Sequence, residues 1–344
     1  MKRELVDKLS ALLKQADTVV IVQADNPDGD SMGSALALEL ILGKLGKEPY
    51  LYCAVDTPSY LRYMAGWDRI VTELPNTFDA SIIVDTSTKT LLEKVLEKGD
   101  LVKLAKNPSV VLDHHGTVED EIDFADVLIN DSTVSSTGEL LYSIAKQLDW
   151  PIPVDAAEHI MTSILGDTQG LSNDLAQPST YRTMAELVEL GVNRPQLEEK
   201  RRAYSKMPES IFRYKGRLIE RTKLELDGRL AFVHIPHQEI INFSPLYNPA
   251  PLIQSDMLQI EGVVVSTVLK NYNDGKVTGA IRCSNGFPIA GKLAEALGGG
   301  GHPYAAGFKV TDGSTLADVQ AKLLEESEAL LQEVNEQGDG SETL

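Results

Sequence analysis

The chain has 344 residues, room for two ordinary domains at ~100–200 residues each, and an apolar share of 42% supplies a packed core. No run reaches the ~20 uninterrupted apolar residues of a membrane span, so no membrane partner is expected. The formal charge of −19, from 51 acidic and 32 basic residues, repels long polyanions. Long duplex DNA is therefore a poor substrate, whereas a short anionic ligand gripped by metals and one or two cations fits.

The N-terminus, Met1-Lys-Arg-Glu-Leu-Val6, opens an amphipathic pattern without the apolar stretch of a secretory signal, which predicts a cytoplasmic protein. Cys53 and Cys283 lack metal-ligand spacing and read as two buried free thiols. Three short β-branched runs follow in the first third: residues 18–22, 80–84 and 109–112. Each is continuous and ends at once in polar residues, as buried parallel strands do. Helical patterns over 34–45 and 90–104 lie between them, so an open α/β sheet flanked by helices is predicted. Ligands of such sheets gather beyond the carboxyl ends of the strands. There the three strands deliver Asp28 and Asp30, then Asp85, then Asp113, His114 and His115.

Further helices are predicted over 137–148, 156–165 and 180–190, with Asp155 capping the second and Gly191 closing the third. Residues 195–222 form a charged helical linker after an N-terminal domain of 1–194. From 223 to 333 a smaller α/β domain begins with β-rich alternation, including a hairpin at Asn273-Asp-Gly275. Residues 334–344 read as a disordered acidic tail.

Hard carboxylates mixed with imidazole suit Mn²⁺, with Mg²⁺ as the alternative. So many carboxylates at one sheet edge repel one another without cations. Two ions ~4 Å apart serve in-line phosphoryl displacement. Helix capping explains any one Asp, but not four sites and a His pair.

Asn26-Pro-Asp-Gly-Asp-Ser-Met-Gly-Ser34, Val84-Asp85, Asp113-His114-His115 and Gly166-Asp-Thr168 resemble, in order, the four motifs of the DHH phosphoesterases. Gly298-Gly-Gly-Gly-His-Pro-Tyr-Ala-Ala-Gly307 resembles the DHHA1 signature, which also occurs in alanyl-tRNA synthetases. The resemblance implies a mainly parallel N-terminal DHH domain and a C-terminal DHHA1 domain. It places Asp28 and Asp85 on one metal, and Asp30, Asp85, His114 and Asp167 on the other. His115 would face the scissile phosphate, and Asp113 would orient the histidines. The family's usual histidine four residues before the first motif Asp is replaced by Ala24, so the first metal site is expected to be weak. Asp25 is a poor substitute because strand alternation turns it away.

The glycine run lets a backbone approach phosphate oxygens. Gly299, Gly300, Gly301 and His302, with Arg282 upstream, are the candidate substrate-binding residues. Ser135, Ser136, Thr137, Thr180 and Arg182 are open between substrate contact and local structural roles. The compact size resembles the oligoribonuclease and 3′-phosphoadenosine 5′-phosphate phosphatase type, which acts on short RNA or small nucleotides. Cyclic-di-AMP or pApA hydrolysis is the nearest alternative, and a nucleotide-binding regulator with an impaired first metal site is the other. A homodimer is compatible with the sequence.

Overall fold

The computed structural model describes residues 2–116, 120–204, 206–244 and 248–339. The chain divides into two compact units, 1–206 and 207–344.

In the first unit, β1 (Thr18–Val22), β2 (Glu48–Tyr52), β3 (Ala80–Val84), β4 (Ser109–Asp113) and β5 (Val127–Asn130) form a wholly parallel sheet ordered β2-β1-β3-β4-β5. Around it run α1 (Arg3–Gln15), α2 (Gly29–Lys44), α3 (Glu93–Glu97), α4 (Leu101–Leu104), α5 (Thr137–Gln147), α6 (Val154–Asp167), α7 (Pro178–Glu189) and α8 (Arg194–Tyr204). Alternation along the strands feeds two cores. Val19, Ile21, Ile82, Val84, Val110 and Leu112 pack with α1, α2, α5 and α6. Val20, Val22, Ile83 and Val111 pack on the other side with Leu92, Val95 and Leu104. The chain leaves β1 toward β2 on one side and returns to β3 on the other. That strand-order reversal is where open α/β sheets bind ligands.

Helices α2 and α6 approach closely because Gly33 faces α6: a Cβ there would lie 2.7 Å from the His159 carbonyl oxygen. This contact brings the first turn of α2 beside the last turn of α6, and so Asp30 beside Asp167.

Strands β1, β3 and β4 match the sequence expectation, while β2 and β5 are additional. Both are sheet edges with half-exposed patterns, which lack the continuous apolar run used to find the others. The single helix expected over 90–104 is broken, since Gly99 at φ +75° stops α3 and Asp100 precedes α4. Asp155 does not cap α6: the helix starts at Val154 behind Pro153, and Asp155 lies in its first turn. Gly191, at φ +109°, does follow α7.

The helical linker expected over 195–222 is two helices belonging to different units. Leu197 of α8 is part of the first unit's core, whereas Ile211, Tyr214 and Leu218 of α9 (Glu209–Arg221) are part of the second's. Pro208 supplies the break, because the residue before a proline disfavours helix.

The second unit continues with β6 (Lys223–Glu225), β7 (Leu230–Pro236), α10 (His237–Phe243), α11 (Pro249–Met257), β8 (Val265–Asn271), β9 (Val277–Cys283), α12 (Ala290–Ala296), β10 (Gly300–His302), β11 (Ala305–Val310) and α13 (Leu316–Asp339). Its sheet order is β10-β11-β9-β8-β7-β6, parallel only between β7 and β8. Leu230 and Phe232 face a core shared with α12 and α13, and Ala231, Val233 and Ile235 one shared with α9 and α11. The expected hairpin is present: the Tyr272 N–H donates to the Lys276 carbonyl at 2.9 Å, and Gly275 has φ +81°. Helix α13 runs through Asp339, into the stretch expected as a disordered tail; residues 340–344 lie outside the described residues. Among the described residues, no helix is long and apolar enough to cross a membrane.

Candidate metal centre

Asp28 precedes α2 and caps it, its Oδ1 accepting from the Asp30 and Ser31 N–H groups at 2.9 and 3.0 Å. Two residues later Asp30 is fully buried. Four donors converge on its carboxylate. Oδ1 accepts from Ser34 Oγ (2.9 Å), Ser163 Oγ (2.5 Å) and the Gly138 N–H (3.2 Å), and Oδ2 from the Thr137 N–H (2.7 Å).

Asp85 follows β3 with φ +64°, a left-handed conformation that Asp tolerates better than most residues. Its N–H still donates to the Leu112 carbonyl at 2.9 Å, and Thr137 Oγ1 donates to its Oδ1 at 3.1 Å. Burial first, and then the negative charge of Asp30, push the Asp85 carboxyl well above the usual carboxylate range.

Asp113, the last residue of β4, is fully buried and turns back on the two histidines. Its Oδ1 accepts from the His114 N–H at 2.8 Å and the His115 N–H at 3.3 Å, and meets His115 Nδ1 at 2.7 Å. Burial would raise the Asp113 pKa, but hydrogen bonds from His115 and Ser87 outweigh it and hold it below the ordinary value. The partnership raises the His115 pKa, the hydrogen bond to Asp113 being the largest cause. The His115 side chain stays half exposed.

His114 Nε2 is the focus of the cluster. It lies 2.9 Å from Asp167 Oδ2, 3.4 Å from Asp30 Oδ2 and 3.7 Å from Asp85 Oδ1. Yet Nε2 is buried without an aligned hydrogen-bond partner. Burial would lower the His114 pKa, but the carboxylates of Asp167 and Asp30 reverse this and raise it to about 9. Asp167 is raised to about 6, by burial first and by repulsion from Asp30. An imidazole nitrogen ringed by three carboxylates, close but not aligned for hydrogen bonding, is a donor set suited to a divalent cation. Asp30, His114 and Asp167 can offer ligand atoms within 4.8 Å of one another, as can Asp85, His114 and His115.

The structure thus brings together Asp30, Asp85, His114 and Asp167, with Asp113 and His115 beside them. Asp28 stands at the same helix start, and its charge acts on Asp85 and Asp167, but it belongs to neither of these groups. Ala24 is buried and offers only its carbonyl, which accepts from Cys53 Sγ at 3.4 Å. Asp25 Oδ2 accepts the Lys94 N–H of α3 at 2.6 Å, a role away from the cluster. Next to them Gln23 is fully buried, with neither side-chain amide atom hydrogen-bonded.

Two supporting residues escaped the sequence reading, and the hydroxyl residues it left open have local structural roles. Ser34 and Ser163 hold Asp30; Ser34 had a signal in its i,i+4 spacing from Asp30 on α2, whereas Ser163 reaches Asp30 from α6. Thr137 serves Asp30 and Asp85. Ser136 caps α5 by accepting from the Glu139 N–H, and Ser135 and Thr180 both donate to buried Glu139. Arg182 is exposed on α7.

In the second unit Arg282 is exposed on β9, opposite Ala305 of β11. The glycine run forms the turn after α12 and strand β10. Gly298 has φ +81° in the turn that closes α12, and a Cβ on Gly301 would lie 2.7 Å from Ala306 Cα in the hairpin, so both have reasons in the local backbone. Gly300 is exposed and has open space where a Cβ would stand. His302 lies in β10.

Residues 18–164 match the DHH family, N-terminal domain, and residues 250–336 match the DHHA1 domain. A bifunctional oligoribonuclease and PAP phosphatase NrnA from Thermus thermophilus is 28% identical over 291 residues, covering 82% of this chain and 81% of the relative. An exopolyphosphatase-related protein from Bacteroides fragilis superposes with a TM-score of 0.83 at 24% identity, covering 96% of this chain and 98% of the other. RecJ from Thermus thermophilus, solved with Mn²⁺, superposes with a TM-score of 0.54 at 16% identity, over 95% of this chain and 54% of RecJ. With both domain matches in order and an acidic–histidine cluster at the expected sheet edge, the chain belongs to the DHH phosphoesterase family and carries a DHHA1 domain.

Proposed function

We propose that this phosphoesterase is a Mn²⁺-dependent hydrolase of short oligoribonucleotides and of 3′-phosphoadenosine 5′-phosphate. The observation that carries the reading is the convergence of three carboxylates on His114 Nε2. Asp30, Asp85, His114 and Asp167 would hold one cation, and Asp28 with Asp85 a second, weaker one that lacks a ligand at Ala24. A bound cation would supply Lewis acidity and charge neutralisation for phosphoryl transfer, with Mg²⁺ as the alternative ion.

The chain's own contribution is positioning. Asp113 fixes the His115 ring through Nδ1, leaving its other nitrogen to meet a phosphoryl oxygen from the half-exposed face. With its pKa raised, His115 is suited to donate a proton toward developing negative charge. Arg282, Gly299, Gly300, Gly301 and His302 would bind the nucleotide end, Gly300 being the position where a backbone can approach a ligand unobstructed. The charge of −19 favours small substrates over long duplexes, and a cytoplasmic location suits two thiols left unpaired.

The test is product analysis of an RNA dinucleotide, 3′-phosphoadenosine 5′-phosphate and cyclic-di-AMP side by side with Mn²⁺. Turnover of the first two supports the proposal. Turnover confined to cyclic-di-AMP moves the assignment to a cyclic-dinucleotide phosphodiesterase. Binding without turnover in excess Mn²⁺ supports a nucleotide-binding regulator, the second reading, favoured by Ala24 at the ligand position.

A further inference from the structure

The first unit contains a cavity of about 420 Å³ that none of the roles above uses. That volume lies toward the small end of the ~300–1,000 Å³ typical of ligand sites, enough for one nucleotide but not a chain. Its lining includes Gly29 and Gly166, neighbours in sequence of Asp28, Asp30 and Asp167. The two glycines nearly touch: a Cβ on Gly29 would meet Gly166 Cα at 3.6 Å.

The walls combine two chemistries. Tyr60 and Tyr63 present aromatic rings. Tyr60 is 57% exposed, so its ring is open to a partner although its hydroxyl reaches the Pro27 carbonyl at 3.4 Å. Opposite chemistry comes from α8, where Glu198 gathers Arg194, Arg201 and Arg202 at 3.4, 2.8 and 2.9 Å. Of these Arg194, Arg201 and Glu198 line the cavity, two guanidinium groups to one carboxylate, a local excess of positive charge in a protein whose formal charge is −19. Glu198 also fixes the orientation of the guanidinium groups, and each has five N–H donors that can serve a second acceptor. Lys200 ties α8 to Glu158 of α6 at 2.7 Å, so the cationic wall is anchored to the helix that carries Asp167.

The rim carries a third feature. Gln169 and Gly170 line the cavity in left-handed conformations, φ +51° and +77°, and Leu171 follows at +71°. Gln169 is exposed at this turn, and a carboxamide at the rim is a group that can read the edge of a ring base.

The geometry points to a nucleoside monophosphate site in this cavity, with the base on Tyr60 and Tyr63 and the phosphate on Arg194 and Arg201. Aromatic rings are sequence-tolerant platforms for bases, and arginine forks suit phosphate. The site shares no residue with the Arg282 and glycine-run set, and it requires no metal. It therefore stands whether or not the phosphoesterase reading of substrate is correct.

The test is calorimetric titration of the full-length protein with AMP in EDTA, beside adenosine and inorganic phosphate. The expected result is AMP binding that weakens about tenfold or more, some 1.4 kcal/mol, in Tyr60→Ala and in Arg194→Gln. Binding should persist in Arg282→Ala and in Asp85→Asn, and both adenosine and phosphate alone should bind more weakly than AMP. Circular dichroism and thermal melts check that the variants fold. The proposal is overturned by absence of AMP binding at millimolar concentration, or by binding that Arg282→Ala abolishes while Tyr60→Ala and Arg194→Gln leave it intact.

Discussion

His159 gives the most direct quantitative test of the first unit's packing. It sits on α6 with its side chain in the protein interior, 3% exposed. Burial chiefly, and then the positive charges of Arg69 and Lys200, lower its pKa from 6.5 to about 4. Both cations are held in place, Arg69 by Glu39 at 2.6 Å and Lys200 by Glu158 at 2.7 Å. Between pH 4 and 6.5 the unfolded chain binds a proton at this residue that the folded chain refuses. Stability is therefore complete above pH 6.5 and falls as pH is lowered through that window. At ~1.4 kcal/mol per pKa unit the whole effect is about 3 kcal/mol, of which about 2 kcal/mol is lost between pH 7 and pH 5. Both tryptophans, Trp67 and Trp150, belong to the first unit, so fluorescence-monitored urea unfolding reads this unit alone. Comparison with His159→Gln removes the contribution of other groups titrating in the same range. The wild type should lose about 2 kcal/mol more than the variant between pH 7 and pH 5. Parallel pH profiles would refute the reasoning.

Three further outcomes follow from the site and its supports. Ser163→Ala removes one of the four donors to Asp30 and should weaken Mn²⁺ binding by ~10–100-fold, measured by calorimetry. Asp85→Asn keeps a residue that tolerates the left-handed backbone, so a folded protein with more than ~100-fold loss of phosphate release is expected; retained turnover would remove Asp85 from the site. Gly33→Ala drives a methyl group toward the His159 carbonyl and should cost about 1–3 kcal/mol in tryptophan-monitored unfolding, with Mn²⁺ affinity falling alongside; an unchanged melt would show that α2 and α6 can separate freely.

The strands that bear the site were legible because β1, β3 and β4 are buried on both faces, which demands unbroken apolar runs. The edge strands β2 and β5 face solvent in part, and β2 even holds Pro49, so neither carries that pattern. The α8–α9 region looked like one linker because both helices are rich in charge. Their allegiance to different units depends on a few buried residues such as Leu197 and Tyr214, which local composition does not mark. At the site, Asp30, Asp85, His114 and Asp167 were readable as polar residues ending apolar segments. Ser163 was not, since it meets Asp30 across 133 positions of sequence. Nothing local to Ser163 distinguishes it from a solvated helix serine.

The donors around Asp30 carry one more consequence. Two of them, the N–H groups of Thr137 and Gly138, are the opening amides of α5, which no carbonyl of their own helix can satisfy. Asp30 thus finishes a neighbouring helix from a distance, beside the cap that Ser136 provides locally. Its carboxylate would be retained by folding alone, at about 1 kcal/mol per capping interaction, in a chain that had no use for a cation. Among related sequences an aspartate here is weak testimony for catalysis. Asp85 receives a single hydroxyl and Asp167 lies at a helix end where negative charge is unwelcome, so under the proposed function these two would be the positions whose identity separates a working centre from a relic.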